Sequence, residues 1–561
     1  MVSYFSKISR FKFLNNKIFL ISSSIILVVF GIIVMFSNIR HCEFTGDETY
    51  QMICIKYFRQ APLAMATFFN GHIWTSILGF SFISLRVLCR ICYIIAIGIS
   101  IIFLYKKTGN IILSSSVFIT SCFIVSIGSF GIYNWDTGAY PIETIGIILL
   151  LLYIQKPSIL LAIALGIAAG IMTCTRLPLV LFSVIVLFIM IQTYREGNIN
   201  SKTIFWHAAI GLSIMCITIL ASGWIMTGSI AVYVRSFNPD NFISGHGYKD
   251  LGVLIWRFKM VFPFVCVSMT PVALCYMYAK WTIDDTKKNI KNNWYAIIGF
   301  SCLCIMLGWS VLRVIVLHDT YDQPIFGLGI FLVIIPSFVY PFIILKHHNI
   351  DTRTYQLLRM QSTAIILMLF LLGIGSDTPF ERLNVSFLMP LSFGVLWPVI
   401  QKHDKSIIKA WLAYCLLTFV SIWGYKSYAI SKDYISTPEQ TPLRQHIPTP
   451  MSGHEIYTDF PNDLRTIVKD NDYSVWGSYR YYILLAYNKE PEYSIHLFHY
   501  GGEDITKVYP LVIKKKYVFL THWPEYKEDM TKSLKSLKEQ GFKILKETST
   551  YILLENERLS E

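Results

Sequence analysis

Ile18 to Phe36 reads IFLISSSIILVVFGIIVMF, and ten residues further on comes Gly46-Asp47-Glu48-Thr49-Tyr50-Gln51. Nineteen residues without a charge are enough to cross a hydrocarbon core of ~30 Å as a helix. An acidic pair just beyond such a run lies at a membrane surface. There a carboxylate can take a proton from a hydroxyl or hold a cation beside a lipid-borne substrate. Lys7, Arg10, Lys12 and Lys17 precede the run as they would in a signal peptide, but no small-residue cleavage site follows, so the segment is expected to stay as a membrane helix.

The rest of the chain repeats this theme. Of 561 residues 54% are hydrophobic and only 15% charged, with a mean hydropathy of +0.50, which excludes an ordinary soluble domain and marks a polytopic membrane protein. Apolar runs of spanning length fall at 18–37, 84–105, 111–131, 140–154, 159–175, 177–193, 203–226, 253–279, 294–317, 325–345, 357–374, 383–401 and 407–424, about thirteen in all. The net charge of +14 does not indicate a nucleic-acid partner, because the basic residues sit in short connections between apolar runs. They alternate. Lys106-Lys107, Lys156, Arg195 with Lys202, Lys280 with Lys287, Lys346 with Arg353 and Lys402 with Lys405 mark one side, while 132–141 and 318–324 hold no Lys or Arg. The positive-inside bias makes the first side cytoplasmic. An odd number of crossings then leaves the N-terminus inside and the C-terminus outside.

Two outer segments exceed plain connectors. Residues 38–83 carry the acidic pair and an amphipathic stretch, Ala64 to Leu78, suited to a helix lying along the interface. Residues 425–561 form a tail of soluble character following a membrane module of 1–424. Strands are expected at Tyr473–Trp476, Ser494–Phe498, Tyr517–Thr521, Phe542–Leu545 and Tyr551–Leu554, and helices at Asn462–Val468, Tyr479–Tyr487 and Lys527–Gln540, the last closed by Gly541. The expected fold is thus mainly α: about thirteen transmembrane helices and a C-terminal extracytoplasmic α/β domain.

The twelve Cys lie mostly in apolar runs, where a thiol packs as a small hydrophobe, and none has metal-ligand spacing. Cys42 and Cys54 flank the acidic pair on the oxidising side, so a bridge between them is open, with two free thiols the preferred reading.

The order of these features resembles the GT-C glycosyltransferases, in particular the branch of protein O-mannosyltransferases and bacterial aminoarabinose transferases. An Asp-Glu pair opens the first outer loop. Ala61-Pro62-Leu63 then precedes Leu78-Gly79-Phe80-Ser81-Phe82-Ile83-Ser84-Leu85-Arg86, and GIAAGIMTCTRLP over Gly166 to Pro178 resembles that branch's Gly-rich helix ending in a basic residue and Pro. One departure is plain: where the branch usually shows His-Pro-Pro with a nearby Lys or His, this chain has Gln60-Ala61-Pro62-Leu63.

The resemblance implies a sugar-phosphate-polyprenol donor and a glycan, lipid or protein acceptor at the outer face, in a bacterial inner membrane. No nucleotide site is then needed, and no Gly-rich phosphate loop is present. Inverting transfer needs a base for the acceptor hydroxyl, and Asp47 is expected to serve, with Glu48 orienting donor or acceptor or joining a divalent-cation site. Arg59, Arg86, Arg90, Arg176, Arg313 and Arg382 are the cations available to the leaving phosphate. Arg86 and Arg90 are explained equally by snorkelling to headgroups, whereas Arg176 and Arg313 lie at or within spans, where a cation needs a partner or a wet pocket. Asp136, His318, Asp319, Asp322 and Asp377 face outward as cavity or plain loop residues. Tyr50, Trp74 and Trp135 offer sugar-stacking faces or interface anchors, His72 a substrate contact or a structural imidazole. His246 with Tyr248 sits in a Gly-rich outer loop, a mobile cover or a turn. In the tail, Trp476, Tyr479, Arg480 and Tyr481 are expected in core packing ahead of acceptor contact. A transporter for lipid-linked glycans would place charges deep in several helices, and a polymerase would place its acceptor loop late. The concentration of ionisable groups at outer helix ends, with an early acidic loop, favours the transferase.

Overall fold

The computed structural model describes residues 17–37, 39, 46–60, 64–127, 133–197, 200–235, 351–373, 386–403, 434–435, 449–450, 454–469, 472–490, 492, 504–522, 527–528 and 530–559. Helix α1 (Lys17–Phe36) is followed by two short helices, α2 (Gly46–Lys56) and α3 (Met65–Leu78). Then come α4 (Phe82–Thr108), α5 (Ile111–Ile127), α6 (Trp135–Gln155), α7 (Ile159–Thr175), α8 (Leu181–Arg195), α9 (Ser201–Thr227), α10 (Thr352–Gly373) and α11 (Leu388–His403). The first seven expected spans, together with 357–374 and 383–401, coincide with helices. The runs 253–279, 294–317, 325–345 and 407–424 lie outside the described residues.

Five described segments, Ile18–Phe36, Phe82–Thr108, Trp135–Gln155, Leu177–Arg195 and Ser201–Thr227, are long and apolar enough to cross a membrane. Their exposed faces are apolar. Along α9 these include Phe205, Trp206, Ile217, Trp224 and Ile225, a surface that water would not tolerate and lipid would. The chain is an integral membrane protein.

Local signals set the helix ends. Ser81 caps α4 by accepting from the Ser84 amide, and α4 stops at Gly109, whose φ of 62° is the left-handed turn that glycine makes without strain. Asn134 caps α6 through a reciprocal pair of bonds with Thr137, so the helix begins at Trp135 and Asp136 falls in its first turn. Short connections force α6, α7, α8 and α9 to alternate in direction. Lys107 Nζ donates to Gln155 Oε1 at 3.2 Å, bringing together the basic ends of α4 and α6. The opposite ends of these helices hold the site.

Small residues let the spans approach closely. A Cβ built on Gly166 of α7 would stand 2.4 Å from the Gly211 carbonyl oxygen of α9, and one on Gly170 would stand 2.9 Å from the Met215 carbonyl. In lipid, packing of this kind replaces the hydrophobic drive between helices. Helix α3 buries Met65, Thr67, Phe68, Gly71 and Thr75 and exposes Ile73, Ile77 and Leu78. That two-faced burial is what an interfacial helix requires.

The C-terminal region contributes α12 (His454–Thr466), α13 (Arg480–Ala486) and α14 (Thr531–Glu539), a two-stranded pairing of β1 (Tyr434–Ile435) with β2 (Thr449–Pro450), and a four-stranded sheet. The sheet comprises β3 (Tyr473–Gly477), β4 (Tyr517–Thr521), β5 (Phe542–Glu547) and β6 (Tyr551–Asn556) in the order β3-β4-β6-β5, with β3 and β4 parallel and the other pairs antiparallel. The period-2 alternation divides the core. Val518, Leu520, Ile552 and Leu554 pack on one face with Trp476, Val512 and Leu537, while Phe519, Tyr551 and Leu553 join Phe460 and Tyr457 in a core continuous with that of the membrane helices. Strand β4 occupies the five residues read as a strand, and Gly541 closes α14 at φ 92°. The helix expected at Asn462–Val468 begins eight residues earlier, at His454, and the strand expected at Ser494–Phe498 lies outside the described residues.

Candidate functional site

Two ion pairs, both buried, stand at the helix ends opposite Lys106 and Lys107. In the first, Glu48 of α2 meets Arg86 of α4. Arg86 Nε donates to Glu48 Oε1 at 2.7 Å, Nη2 donates to Oε2 at 2.9 Å, and Nη1 donates to the Ile39 carbonyl at 3.0 Å. The arrangement is the planar fork that a guanidinium offers a carboxylate, and a lysine could not reproduce it. Both residues are nearly inaccessible, at 2% and 0% exposure. Snorkelling therefore does not describe Arg86 or Arg90, which is 1% exposed with Nη1 on the Val125 carbonyl at 3.3 Å. Glu48 and Arg86, both expected at the substrate site, hold each other, and each buried charge thereby has a fixed counter-charge. The pair clamps the acidic helix onto a membrane span.

The opposite face of α2 is gripped by aromatic packing. The Tyr50 ring lies 6.1 Å from Trp135, at the start of α6, and 5.4 Å from Tyr481 on α13. Tyr50 thus joins three units: the acidic helix, a membrane span and the C-terminal region. Lys56 Nζ adds a bond to Asn488 Oδ1 at 2.7 Å. Arg480, next to Tyr481, is 1% exposed and stacks 4.9 Å from the Trp476 ring centre and 4.5 Å from that of Tyr481. Trp476, Tyr479, Arg480 and Tyr481 accordingly belong to packing, and that packing carries α13 against α2. Cys54 on α2 is a free, fully buried thiol whose pKa burial pushes up to about 12; Cys42 lies outside the described residues.

The second ion pair joins Asp136 of α6 to Arg176, the residue that ends α7, at 2.9 Å. Asp136, expected to face outward as a cavity or plain loop residue, is drawn into the helix by the Asn134 cap and buried to 5% exposure. Helix α3 is tied to the same place, since Thr67 Oγ1 donates to the Thr175 carbonyl and Tyr133 donates to the Thr67 carbonyl, each at 3.0 Å. Beneath the pair, the Tyr93 and Tyr140 rings pack 5.1 Å apart. Glu143, one turn below Tyr140, is 1% exposed and feels the charges of both Arg176 and Asp136. Glu143 is absent from the residues expected at the site, although an acid inside an apolar run is itself a signal of function.

Asp47 occupies α2 beside Glu48. His72 on α3 is half-buried, with its ring 5.1 Å from that of Phe58, and Trp74 Nε1 donates to the Ser84 carbonyl at 3.0 Å; neither lies in an ion pair. Arg59 is exposed over the Phe58 ring. Arg313, His318, Asp319, Asp322, Asp377, Arg382, His246 and Tyr248 lie outside the described residues. Among the described residues no group of three or more His, Cys, Asp or Glu stands close enough to hold a metal ion.

No family model matches this chain, and no curated protein does. Among solved structures, ArnT from Cupriavidus metallidurans bound to undecaprenyl phosphate is similar over 95% of this chain and 97% of that one, at 13% identity and a TM-score of 0.42. The apo ArnT of the same organism is similar over 96% and 98%, at 12% identity and a TM-score of 0.42.

Proposed function

We propose that this protein is a membrane glycosyltransferase of GT-C type that moves a sugar from a polyprenyl-phosphate donor to a hydroxyl acceptor at the outer membrane face. The observation that carries the reading is the Glu48–Arg86 fork. It anchors a two-acid helix at a membrane boundary, at the same helix ends as Asp136 and Arg176, where a lipid's phosphate and sugar would lie.

Successive positions on an α-helix are about 100° apart, so Asp47 occupies a different face of α2 from Glu48. The two acids divide the work. Glu48 fixes the helix, and Asp47 takes the acceptor proton as the bond from the anomeric carbon to the phosphate breaks. A carboxylate, with a pKa of ~4, accepts that proton only when it is well advanced in transfer. The acceptor oxygen attacks from the face opposite the phosphate, the configuration inverts, and polyprenyl phosphate leaves. Arg176 is the described cation best placed to stabilise the leaving phosphate, since it ends its helix beside Asp136. Packing of Tyr50 on Tyr481 supports a C-terminal domain on the side of α2, the extracytoplasmic side by charge bias, with the N-terminus cytoplasmic.

Undecaprenyl phosphate, the product lipid of such a reaction, is the direct probe. The purified protein in lipid nanodiscs is expected to unfold at a higher temperature when the lipid is added, because a ligand held by the folded state stabilises it. Adding a chelator to the same assay reads any divalent-cation contribution. Equal unfolding temperatures with undecaprenyl phosphate and with an uncharged polyprenol would contradict the proposal.

A further inference from the structure

Along α6 the buried stripe runs Asp136, Tyr140, Glu143, Ile147 and Leu150, so Asp136 and Glu143 share a face two turns apart. Helical side chains lean toward the N-terminus of their own helix, which carries the Glu143 carboxylate up toward Arg176 and Asp136. Yet among the described residues neither Glu143 oxygen finds a hydrogen-bond partner. A buried acid so placed is costly, and replacing it with an apolar residue of similar length should relieve the fold. Conflicts of this sort between stability and side-chain choice concentrate at functional sites.

We propose that Glu143 is a substrate-binding residue that accepts hydrogen bonds from hydroxyl groups of the sugar carried on the lipid phosphate. The inference rests on the glycosyl-transfer reading and adds to it the residue that recognises the sugar. Hydrogen-bonding capacity decides between the two polar parts of the donor. A phosphate offers mainly acceptor oxygens, which a carboxyl group matches poorly, whereas neighbouring sugar hydroxyls can donate to the two Glu143 oxygens. Arg176 ends α7 and pairs with Asp136 at 2.9 Å, so the phosphate has a cation to meet and the sugar a carboxyl group.

The test uses the full-length protein in nanodiscs as wild type, Glu143→Met and Glu143→Gln. Each is unfolded thermally alone, with undecaprenyl phosphate, and with undecaprenyl phosphate carrying glucose, galactose, mannose or arabinose. Wild type is expected to gain more from at least one sugar-bearing lipid than from the bare lipid, and both variants to lose that excess, a weakening of at least about tenfold, or 1.4 kcal/mol. Both should keep the shift given by the bare lipid. Glu143→Met alone should unfold no lower than wild type. The inference is overturned if no sugar-bearing lipid exceeds the bare lipid in wild type, if the excess survives in either variant, or if Glu143→Met unfolds at a lower temperature, which would make the acid a structural counter-ion. Failure of wild type to respond to the bare lipid would instead overturn the glycosyltransferase reading itself.

Discussion

Arg86 grips Glu48 through two parallel hydrogen bonds of 2.7 and 2.9 Å in a site closed to solvent. Truncating either partner leaves the other charge buried and uncompensated. Glu48→Ala or Arg86→Ala is expected to cost about 3 to 5 kcal/mol, whereas the joint Glu48→Met, Arg86→Met variant should recover most of that loss. Thermal unfolding of the purified proteins checks this. Recovery of stability without recovery of sugar transfer would separate the fork's role in holding α2 from its contribution to folding.

The docking of α13 on α2 makes a second expectation. Cys54 is wholly buried near Tyr481, and burial raises its thiol to about 12 from an ordinary 9.0. At pH 8 the group is therefore both covered and protonated, and raising the pH to 9 increases labelling of exposed cysteines without adding thiolate at Cys54. Tyr481→Ala removes the ring that packs on Tyr50 and should open Cys54 to maleimide, read by mass spectrometry of its peptide. Unchanged labelling would mean that the C-terminal region does not cover this face.

Gly166 lets α7 meet the backbone of α9. Any larger side chain would collide with the Gly211 carbonyl at 2.4 Å, and backbone cannot give way as a flexible side chain can. Gly166→Leu is expected to lower stability by about 1 to 3 kcal/mol or more. Leucine at Gly98, where no described residue stands within 4 Å of an added Cβ, should be nearly neutral in the same unfolding assay.

Much of the fold is legible in the sequence. Charge-free runs of spanning length, the alternation that marks β4 and the glycine after α14 are local signals, and local physics decides them. The ion pairs are different. Glu48 meets Arg86 across 38 positions and Asp136 meets Arg176 across 40, and nothing in a single sequence says which acid will find which base. Asp136 shows the finer problem: the apolar run begins at 140, but the Asn134 cap starts the helix five residues earlier, at Trp135, and turns an acid of the expected loop into a buried one. Tyr50 reads as a sugar-stacking face or an interface anchor, and one of the rings it packs on is more than 400 positions away.

The central claim is that Asp47 takes the proton from the acceptor. The most direct measurement compares Asp47→Asn with wild type, both inserted and folded to the same extent, for release of undecaprenyl phosphate from its sugar-bearing form in the presence of acceptor membranes. The account gives a fall of at least about a hundredfold, since the amide cannot accept the proton and general-base catalysis contributes ~10²–10⁴. A rate within twofold of wild type would contradict it.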